Sequence, residues 1–98
     1  MKIELTADDF TTDSTFFYSV PFLYGKTNEF IAVEVELTVT GEVTLQAATD
    51  EIFGPWADIT DSTFDCGVHA VQIYAGGHPD LFYRLKTTQE VDFANILI

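Results

Sequence analysis

The sequence predicts an all-β protein, a single antiparallel β-sandwich of about eight short strands with a jelly-roll or immunoglobulin-like arrangement. Three observations predict this class. Apolar residues recur with period two rather than 3.6 along almost the whole chain. Short clusters of Gly, Pro and Asp separate the alternating runs. The chain has 98 residues, 47% of them hydrophobic, which suits one domain, residues 1–98, built around one core.

The longest alternating segment lies between residues 30 and 48 and is interrupted at Thr40-Gly41. On each side of the interruption, every second residue is apolar, as in a half-buried strand. A short turn that contains glycine commonly joins two antiparallel strands. We therefore predict that the two halves form a hairpin. The residues assigned to its apolar face are Ile31, Val33, Val35, Leu37, Val39, Val43, Leu45 and Ala47.

Shorter alternating or aromatic runs supply the other predicted strands. Gly76-Gly77 and Pro79-Asp80 mark the loop before the run that begins at Leu81. In the last run neither parity is wholly apolar, which indicates a bulge within "ANILI". Its apolar end is expected to dock in the sheet or against a neighbour. These strands are Lys2–Leu5, Thr15–Tyr24, Trp56–Ile59, Val68–Tyr74, Leu81–Thr87 and Asp92–Ile98.

The charge of the chain excludes several classes of partner. Sixteen acidic residues against four basic ones give a net charge of −12, which repels nucleic-acid phosphates and anionic membranes. The excess is explained either by solubility or by a basic partner surface. No signal peptide and no run of about 18 apolar residues is evident. Cys66 is the only cysteine, so an intrachain disulfide is excluded, in keeping with a reducing cytoplasm.

Catalytic and metal-binding patterns are not found, so we predict no enzyme and no cofactor. The sequence has no G-x-S-x-G elbow and no phosphate-binding loop. Cys66 has acidic rather than basic neighbours, which disfavours the thiolate. With His69 and His78 it does not form a zinc spacing. Two groups of Asp, at 8–13 and 58–65, lack the calcium-loop pattern; they are either turn residues or a weak calcium contact.

The segment "TFFYSVPFLYG" is apolar on both parities. Since only one face of a strand in a two-layer fold contacts the core, the other face needs a cover. This cover is the chain itself or a second subunit, or else the rings form a carbohydrate-stacking platform. We predict an intersubunit surface, with residues 1–24 as an oligomer-contacting segment. The interface residues assigned here are Phe16, Phe17, Tyr18 and Phe22.

The stretches "VTLQAATD", "WADI" and "LFYRLK" resemble a pattern found in small β-sandwich structural proteins of tailed-bacteriophage virions. In that pattern a V-T-L-Q-x-S-x-D strand leads through a turn to a Trp, and a Y-x-R-[VL]-K strand follows later. The match covers residues 30–98, although discoidin-type sugar-binding jelly rolls show a similar sequence pattern. The matching residues are Val43, Thr44, Leu45, Gln46, Asp50, Trp56, Ile59, Tyr83, Arg84, Leu85 and Lys86.

The resemblance implies a non-enzymatic virion component made in the host cytoplasm, such as a capsid decoration, head-fibre or tail-associated subunit. Its partners would be major capsid or tail proteins and further copies of the chain. The alternative is a carbohydrate- or cell-surface-binding module that stacks sugars on aromatic rings. Candidate rings for that role are Tyr18, Tyr24, Tyr74 and Trp56.

The turn between the two halves of the motif is unusual. Asp50 is expected to hold the turn through backbone N–H groups, and Trp56 to bury its ring under the hairpin. Loss of that ring would then cost about 3–5 kcal/mol. Ile52 and Phe53 replace the usual polar turn residues. They either fold back on the end of the sandwich or insert into a pocket of a partner, and we hypothesise the second.

Overall fold

A computed structural model describes residues 2–23, 30–50, 52–65, 67–72 and 82–97 of the chain. These residues form two antiparallel sheets of four and six strands that enclose one hydrophobic core, which confirms the predicted all-β sandwich. A 3₁₀ turn, Ala7–Asp9, follows the first strand. The strands are β1 Lys2–Thr6, β2 Phe10–Thr12, β3 Phe17–Ser19, β4 Phe22–Leu23, β5 Phe30–Leu37, β6 Val43–Ala48, β7 Ala57–Phe64, β8 Gly67–Gln72, β9 Phe82–Thr87 and β10 Val91–Leu97.

The strand order is that of a jelly roll. The first sheet has the order β1-β10-β5-β8, and the second has the order β2-β3-β9-β6-β7. Both β3 and β4 pair with β9, so they act as one interrupted strand. Apart from the edge strand β2, eight of the described strands then remain. They alternate between the two sheets except at β6 and β7, which pair with each other, and the first strand lies beside the last. This order separates the jelly roll from the immunoglobulin-like alternative, in which consecutive strands stay together in one sheet.

The core lies between the facing sides of β5, β10, β6 and β9. Every second residue of β5, β6 and β9 points inward, which is why the alternation of the sequence is so regular there. Several inner residues of β5 and β6 have no exposed surface. On β9 and β10, Leu85, Tyr83 and Ile96 are exposed by 1% or less. Within the described ranges, the buried residues of the core are Leu5, Phe22, Ile31, Val33, Val35, Leu37, Val43, Leu45, Tyr83, Leu85, Val91, Ala94 and Ile96.

The predicted hairpin between β5 and β6 is wrong. The two strands belong to different sheets, β5 between β10 and β8, and β6 between β9 and β7. Residues 38–42 cross from one sheet to the other beside the β9–β10 connection. Glu42 donates its N–H to the Thr88 hydroxyl at 2.9 Å, and Thr38 donates to the Glu90 carbonyl at 2.9 Å. The apolar faces of β5 and β6 therefore face each other across the core instead of lying side by side.

Two details of the crossing segment correct the strand assignment further. Val39 lies beyond the end of β5 and is 56% exposed, so it does not continue the apolar face. Gly41 lies against the neighbouring connection: a Cβ there would come within 2.7 Å of both Gln89 Cγ and Thr88 Oγ1. The glycine thus permits close packing of two crossing connections rather than a hairpin turn.

The last strand has the predicted irregularity, but at a different place. Its register against β5 shifts between Val91 and Phe93, before the "ANILI" segment. Because of this shift Val91, Ala94 and Ile96 all point inward, with 1% exposure or less. The strand lies between β1 and β5, so the apolar end of the chain is docked in the sheet, as expected.

The strand predicted at Trp56–Ile59 is longer than expected. It begins at Ala57 and runs to Phe64 as β7. Its pairing with β6 shifts register, so that residues 59–62 lie opposite Leu45 alone. This irregularity explains why two-residue alternation did not reveal the second half of the strand.

Candidate functional site

The outer face of the second sheet carries a cluster of aromatic and charged side chains that is here called the Arg84 cluster. The strand register places its members in two rows. Arg84 lies opposite Gln46, which lies opposite Asp58, and Lys86 lies opposite Tyr18. Since Tyr83, Leu85 and Thr87 of β9 point into the core, Arg84 and Lys86 must point away from it. The cluster consists of Phe16, Tyr18, Gln46, Trp56, Asp58, Arg84 and Lys86.

Arg84 is at the centre of the cluster. Its guanidinium carbon lies 4.1 Å from the ring centre of Tyr18 and 4.3 Å from that of Trp56, so two aromatic rings hold the cation. Its Nε donates a hydrogen bond of 2.8 Å to Gln46 Oε1. Burial lowers the pKa of Arg84, yet an arginine side chain remains protonated in proteins. The result is a fixed positive charge with its planar end directed by three neighbouring side chains.

An ion pair stands beside Arg84. Lys86 Nζ lies 2.9 Å and 3.0 Å from the two carboxylate oxygens of Asp58, and 4.8 Å from the ring centre of Phe16. Gln46 Nε2 donates to Asp58 at 2.9 Å. These donors, Lys86 first, hold the pKa of Asp58 below its ordinary value. The carboxylate of Asp58 is thus occupied by Lys86 and Gln46.

A second carboxylate approaches the cluster through Tyr18. The Tyr18 hydroxyl donates to Asp13 Oδ2 at 3.0 Å, and the other Asp13 oxygen accepts the N–H groups of Thr15 and Phe16 at 3.0 and 2.9 Å. The Phe16 N–H contributes most to the lowered pKa of Asp13. Burial, followed by the bond to Asp13, raises the pKa of Tyr18. Asp13 is therefore a turn residue, which is one of the two roles considered for the acidic groups.

Trp56 is not buried under a hairpin, contrary to expectation. It is half-buried at the start of β7 and packs on Arg84 on the outside of the sheet. The ring therefore covers the outer face rather than filling the core.

We accordingly expect Trp56→Ala to lower the free energy of unfolding by about 1–2 kcal/mol, from lost half-burial and the lost cation–π contact. Urea denaturation followed by circular dichroism would measure this cost. Trp56→Phe, which keeps an aromatic ring over Arg84, should lose less. A cost above about 3 kcal/mol would instead match a core ring.

The turn between β6 and β7 presents two bare apolar side chains, Ile52 and Phe53, called the tip below. Asp50 Oδ1 accepts the N–H groups of Ile52 at 2.8 Å and Phe53 at 2.7 Å, as predicted for Asp50. The same bonds, that of Phe53 first, lower the pKa of Asp50. Gly54 follows with a φ of +67°, and a Cβ there would lie 2.6 Å from the backbone nitrogen of Trp56.

The tip does not fold back on the sandwich. Ile52 is 76% exposed and Phe53 is 84% exposed, so the first of the two alternatives for this turn is wrong. Both side chains instead project from a turn that the Asp50 carboxylate braces.

The aromatic segment 15–24 is divided between the two faces of its sheet. Phe16 and Tyr18 lie in the Arg84 cluster, and Phe17 is half-buried opposite the inward-pointing Thr87. Between β3 and β4 the chain changes parity, so Phe22 lies in the core, 9% exposed and stacked on Tyr83 with ring centres 6.0 Å apart.

Residues 2–23 contribute strands to both sheets. The part of the expected interface that remains on the surface is therefore the tip with the half-buried residues Phe16, Phe17 and Tyr18. Phe22 is left out because the core already covers its ring.

Several residues considered above as candidate sites lie outside the part of the chain that the structure describes. They are Tyr24, Cys66, Tyr74 and His78. Within the described ranges, no three His, Cys, Asp or Glu side chains are grouped so as to hold a metal ion. In the same ranges, no helix is long and apolar enough to cross a membrane.

Comparisons with known proteins find no relative. No protein-family model matches the sequence, and neither a curated protein nor a solved structure matches the chain. The resemblance to phage virion proteins therefore rests on its short motif, and function has to be argued from the geometry of the tip and the Arg84 cluster.

Proposed function

We propose that this protein is a non-enzymatic binding subunit that docks on a larger protein by inserting Ile52 and Phe53 into an apolar pocket. One observation carries the proposal: two large apolar side chains, 76% and 84% exposed, stand together at the end of a braced turn. Water contact with both is unfavourable, and burial of each contributes about 1.5–3 kcal/mol. The net charge of −12 favours solubility of the free subunit.

The geometry of the tip suits docking because little order has to be created on binding. Two N–H groups of the turn are already bound to Asp50, and Gly54 takes the left-handed backbone conformation that the turn needs. A preformed turn loses less conformational entropy on association than a flexible loop. Clustered apolar anchors of this kind commonly supply most of the binding energy of an interface.

The class of assembly that we propose is a phage virion, in which the chain decorates a head or forms part of a tail. Support comes from the V-T-L-Q…D…W and Y-x-R-L-K motif, and from the sandwich fold in which that motif lies. The partner would be a major capsid or tail protein. Phe16, Phe17 and Tyr18, on the side of β9 away from β6 and β7, would contact further copies of the chain.

The test is a binding experiment with the virion protein encoded beside this chain in its genome. The two are co-expressed, particles are isolated by sedimentation, and the bound subunit is quantified by mass spectrometry. The double variant Ile52→Ser/Phe53→Ser should bind at least roughly tenfold less, because the loss of two buried anchors exceeds about 1.4 kcal/mol.

Val39→Ser is the matched control. Val39 is also an exposed apolar residue in a connection, but it lies between β5 and β6 rather than at the tip. Unchanged binding of the double variant would refute tip docking, and equal losses in both variants would show non-specific hydrophobic adhesion. Genes for unrelated metabolic proteins on both sides of this one would count against the virion assignment.

The second candidate is a carbohydrate-binding module, and the Arg84 cluster is the observation that favours it. Two aromatic rings, a guanidinium, an amide and an ion pair lie together on one exposed sheet face. Size-exclusion chromatography with a glycan array separates the candidates: a monomer with glycan affinity supports this module, and an oligomer without it supports the virion subunit.

A further inference from the structure

Arg84 differs from the other described cations of this chain in its lack of an acidic partner. Lys2 lies 3.3 Å from Glu4, and Lys86 lies 2.9 Å from Asp58. In the part of the chain that the structure describes, no carboxylate lies within 4 Å of the Arg84 guanidinium. In a chain with sixteen acidic and four basic residues, an arginine without an ion pair is unexpected, since a carboxylate partner would be easy to supply.

The acidic side chains of the Arg84 cluster and its neighbour Asp13 are bound to other groups. Asp58 is bound to Lys86 and Gln46, and Asp13 is bound to the Tyr18 hydroxyl and to two backbone N–H groups. Neither of these two carboxylates forms an ion pair with Arg84. The guanidinium has five N–H donors, of which Nε is given to Gln46. Among the described residues no acceptor is hydrogen-bonded to its terminal nitrogens.

We propose that the terminal nitrogens of Arg84 bind the carboxylate of a sugar acid, such as a hexuronic or sialic acid, between the rings of Tyr18 and Trp56. A carboxylate pairs with a guanidinium in its plane through two parallel hydrogen bonds. The ring centres of Tyr18 and Trp56 lie 4.1 and 4.3 Å from the guanidinium carbon. Rings this close to the bound carboxylate would offer apolar surface to the C–H groups of the sugar ring.

The charge of the chain decides between sources of the carboxylate. A net charge of −12 repels any extended polyanion, including an acidic peptide segment or a nucleic acid. A single carboxylate on an otherwise neutral ring experiences far less of this repulsion. The site is separate from the tip but shares Tyr18 with the surface proposed for contacts between copies. The inference therefore rests on the second candidate function and not on docking by Ile52 and Phe53.

Trp56 is the only tryptophan of the chain, so its fluorescence reports directly on this site. The protein is titrated at constant ionic strength with sodium glucuronate, glucose, sodium acetate and an N-acetylated Asp-containing tripeptide. Glucuronate should give a saturable change, with glucose and acetate at least roughly tenfold weaker, because each lacks one of the two groups recognised.

Two variants at the site are compared with one elsewhere. Arg84→Gln and Arg84→Lys should each weaken glucuronate binding at least roughly tenfold, since lysine keeps the charge but lacks the planar fork. Lys2→Gln removes an equal charge from the other sheet and should leave binding unchanged. Circular dichroism checks that each variant is folded, and the wild-type titrations test the inference even where a variant is not.

Several outcomes would overturn the proposal. Without a saturable response to glucuronate in the wild type, or with equal affinity in folded Arg84→Gln, the site is not as described. A response to acetate as strong as that to glucuronate would remove the sugar from the assignment. Tighter binding of the acidic tripeptide would assign Arg84 to a protein carboxylate instead.

Discussion

Replacing Leu85 with alanine is expected to lower the free energy of unfolding by about 3 kcal/mol, within the range of about 2–5 kcal/mol for fully buried leucines. Leu85 has no exposed surface and lies at the middle of β9, directly opposite the equally buried Leu45 of β6. Both side chains belong to the core that the two sheets enclose. The cavity left by the substitution would lie between two sheets that are each held by strand pairing, so the surroundings have little freedom to collapse into it.

The expected loss is a large fraction of the total free energy of unfolding of a domain of this size. Small domains are stable by about 5–15 kcal/mol, and each kcal/mol lost lowers the melting temperature by roughly 4–8 °C. Urea denaturation monitored by circular dichroism measures the change. Leu97→Ala is the matched control, since Leu97 is 49% exposed on the outer face of the other sheet. Its cost should stay within about 0.5 kcal/mol, and equal costs at the two positions would contradict the assignment of the core.

Replacing Ser62 with alanine is expected to lower the free energy of unfolding by about 1–3 kcal/mol, the cost of leaving a buried backbone group without its partner. Ser62 is 1% exposed and lies in the irregular part of β7. Its hydroxyl oxygen accepts the Leu45 N–H at 3.3 Å, and its proton is directed at the carbonyl oxygens of Ile59 and Leu45, at 2.7 and 3.1 Å. The side chain thus replaces strand pairing where residues 59–62 depart from the β6 register.

A second buried serine has the same role on the other side of the central strands. Ser19 is 4% exposed, and its hydroxyl accepts the Leu85 N–H at 2.9 Å where β3 ends. The prediction for Ser62 is measured by urea denaturation, with the exposed Thr49→Ala as control. A stability change equal to that of the control would mean that Leu45 keeps a hydrogen-bond partner without Ser62.

The tip and the Arg84 cluster are separate features of one sheet. The tip is apolar and exposed, while the cluster is polar, half-buried and connected by hydrogen bonds. The sequence pointed to the tip directly, because Ile52 and Phe53 stand in a turn where polar residues are expected. It did not point to the cluster. Alternation in "LFYRLK" did place Arg84 and Lys86 on one face, but nothing in it located Tyr18 or Trp56 beside them.

Errors in the sequence-based interpretation have a common physical origin. Period-two alternation tells which side chains point inward, and it was right for β5, β6 and β9. It does not tell which strand lies alongside, because a hairpin and a crossing between sheets require the same alternation. The predicted hairpin failed for this reason, and Trp56 was assigned to the core because a hairpin was expected to cover it.

The aromatic segment shows the same limit of alternation. In a continuous strand, Phe16, Tyr18 and Phe22 would all lie on one face of the sheet. In the fold, the chain breaks after Ser19, whose hydroxyl leaves the regular pattern to bond with Leu85. Phe22 then enters the core while Tyr18 stays outside. The register against β9 shifts by one residue between β3 and β4, and a shift of one residue moves the side chains that follow to the other face.

Local chemistry along the chain was enough to establish an all-β sandwich, the inward residues of its long strands, the Asp50-braced turn and the bare tip. Each of these depends on residues within a few positions of one another. Which strands pair, and therefore which distant side chains meet, depended on contacts between segments far apart in sequence. Arg84 gained Tyr18, Gln46 and Trp56 as neighbours only when the four strands β3, β9, β6 and β7 aligned in one sheet, because strand register is set by the packing of the whole core.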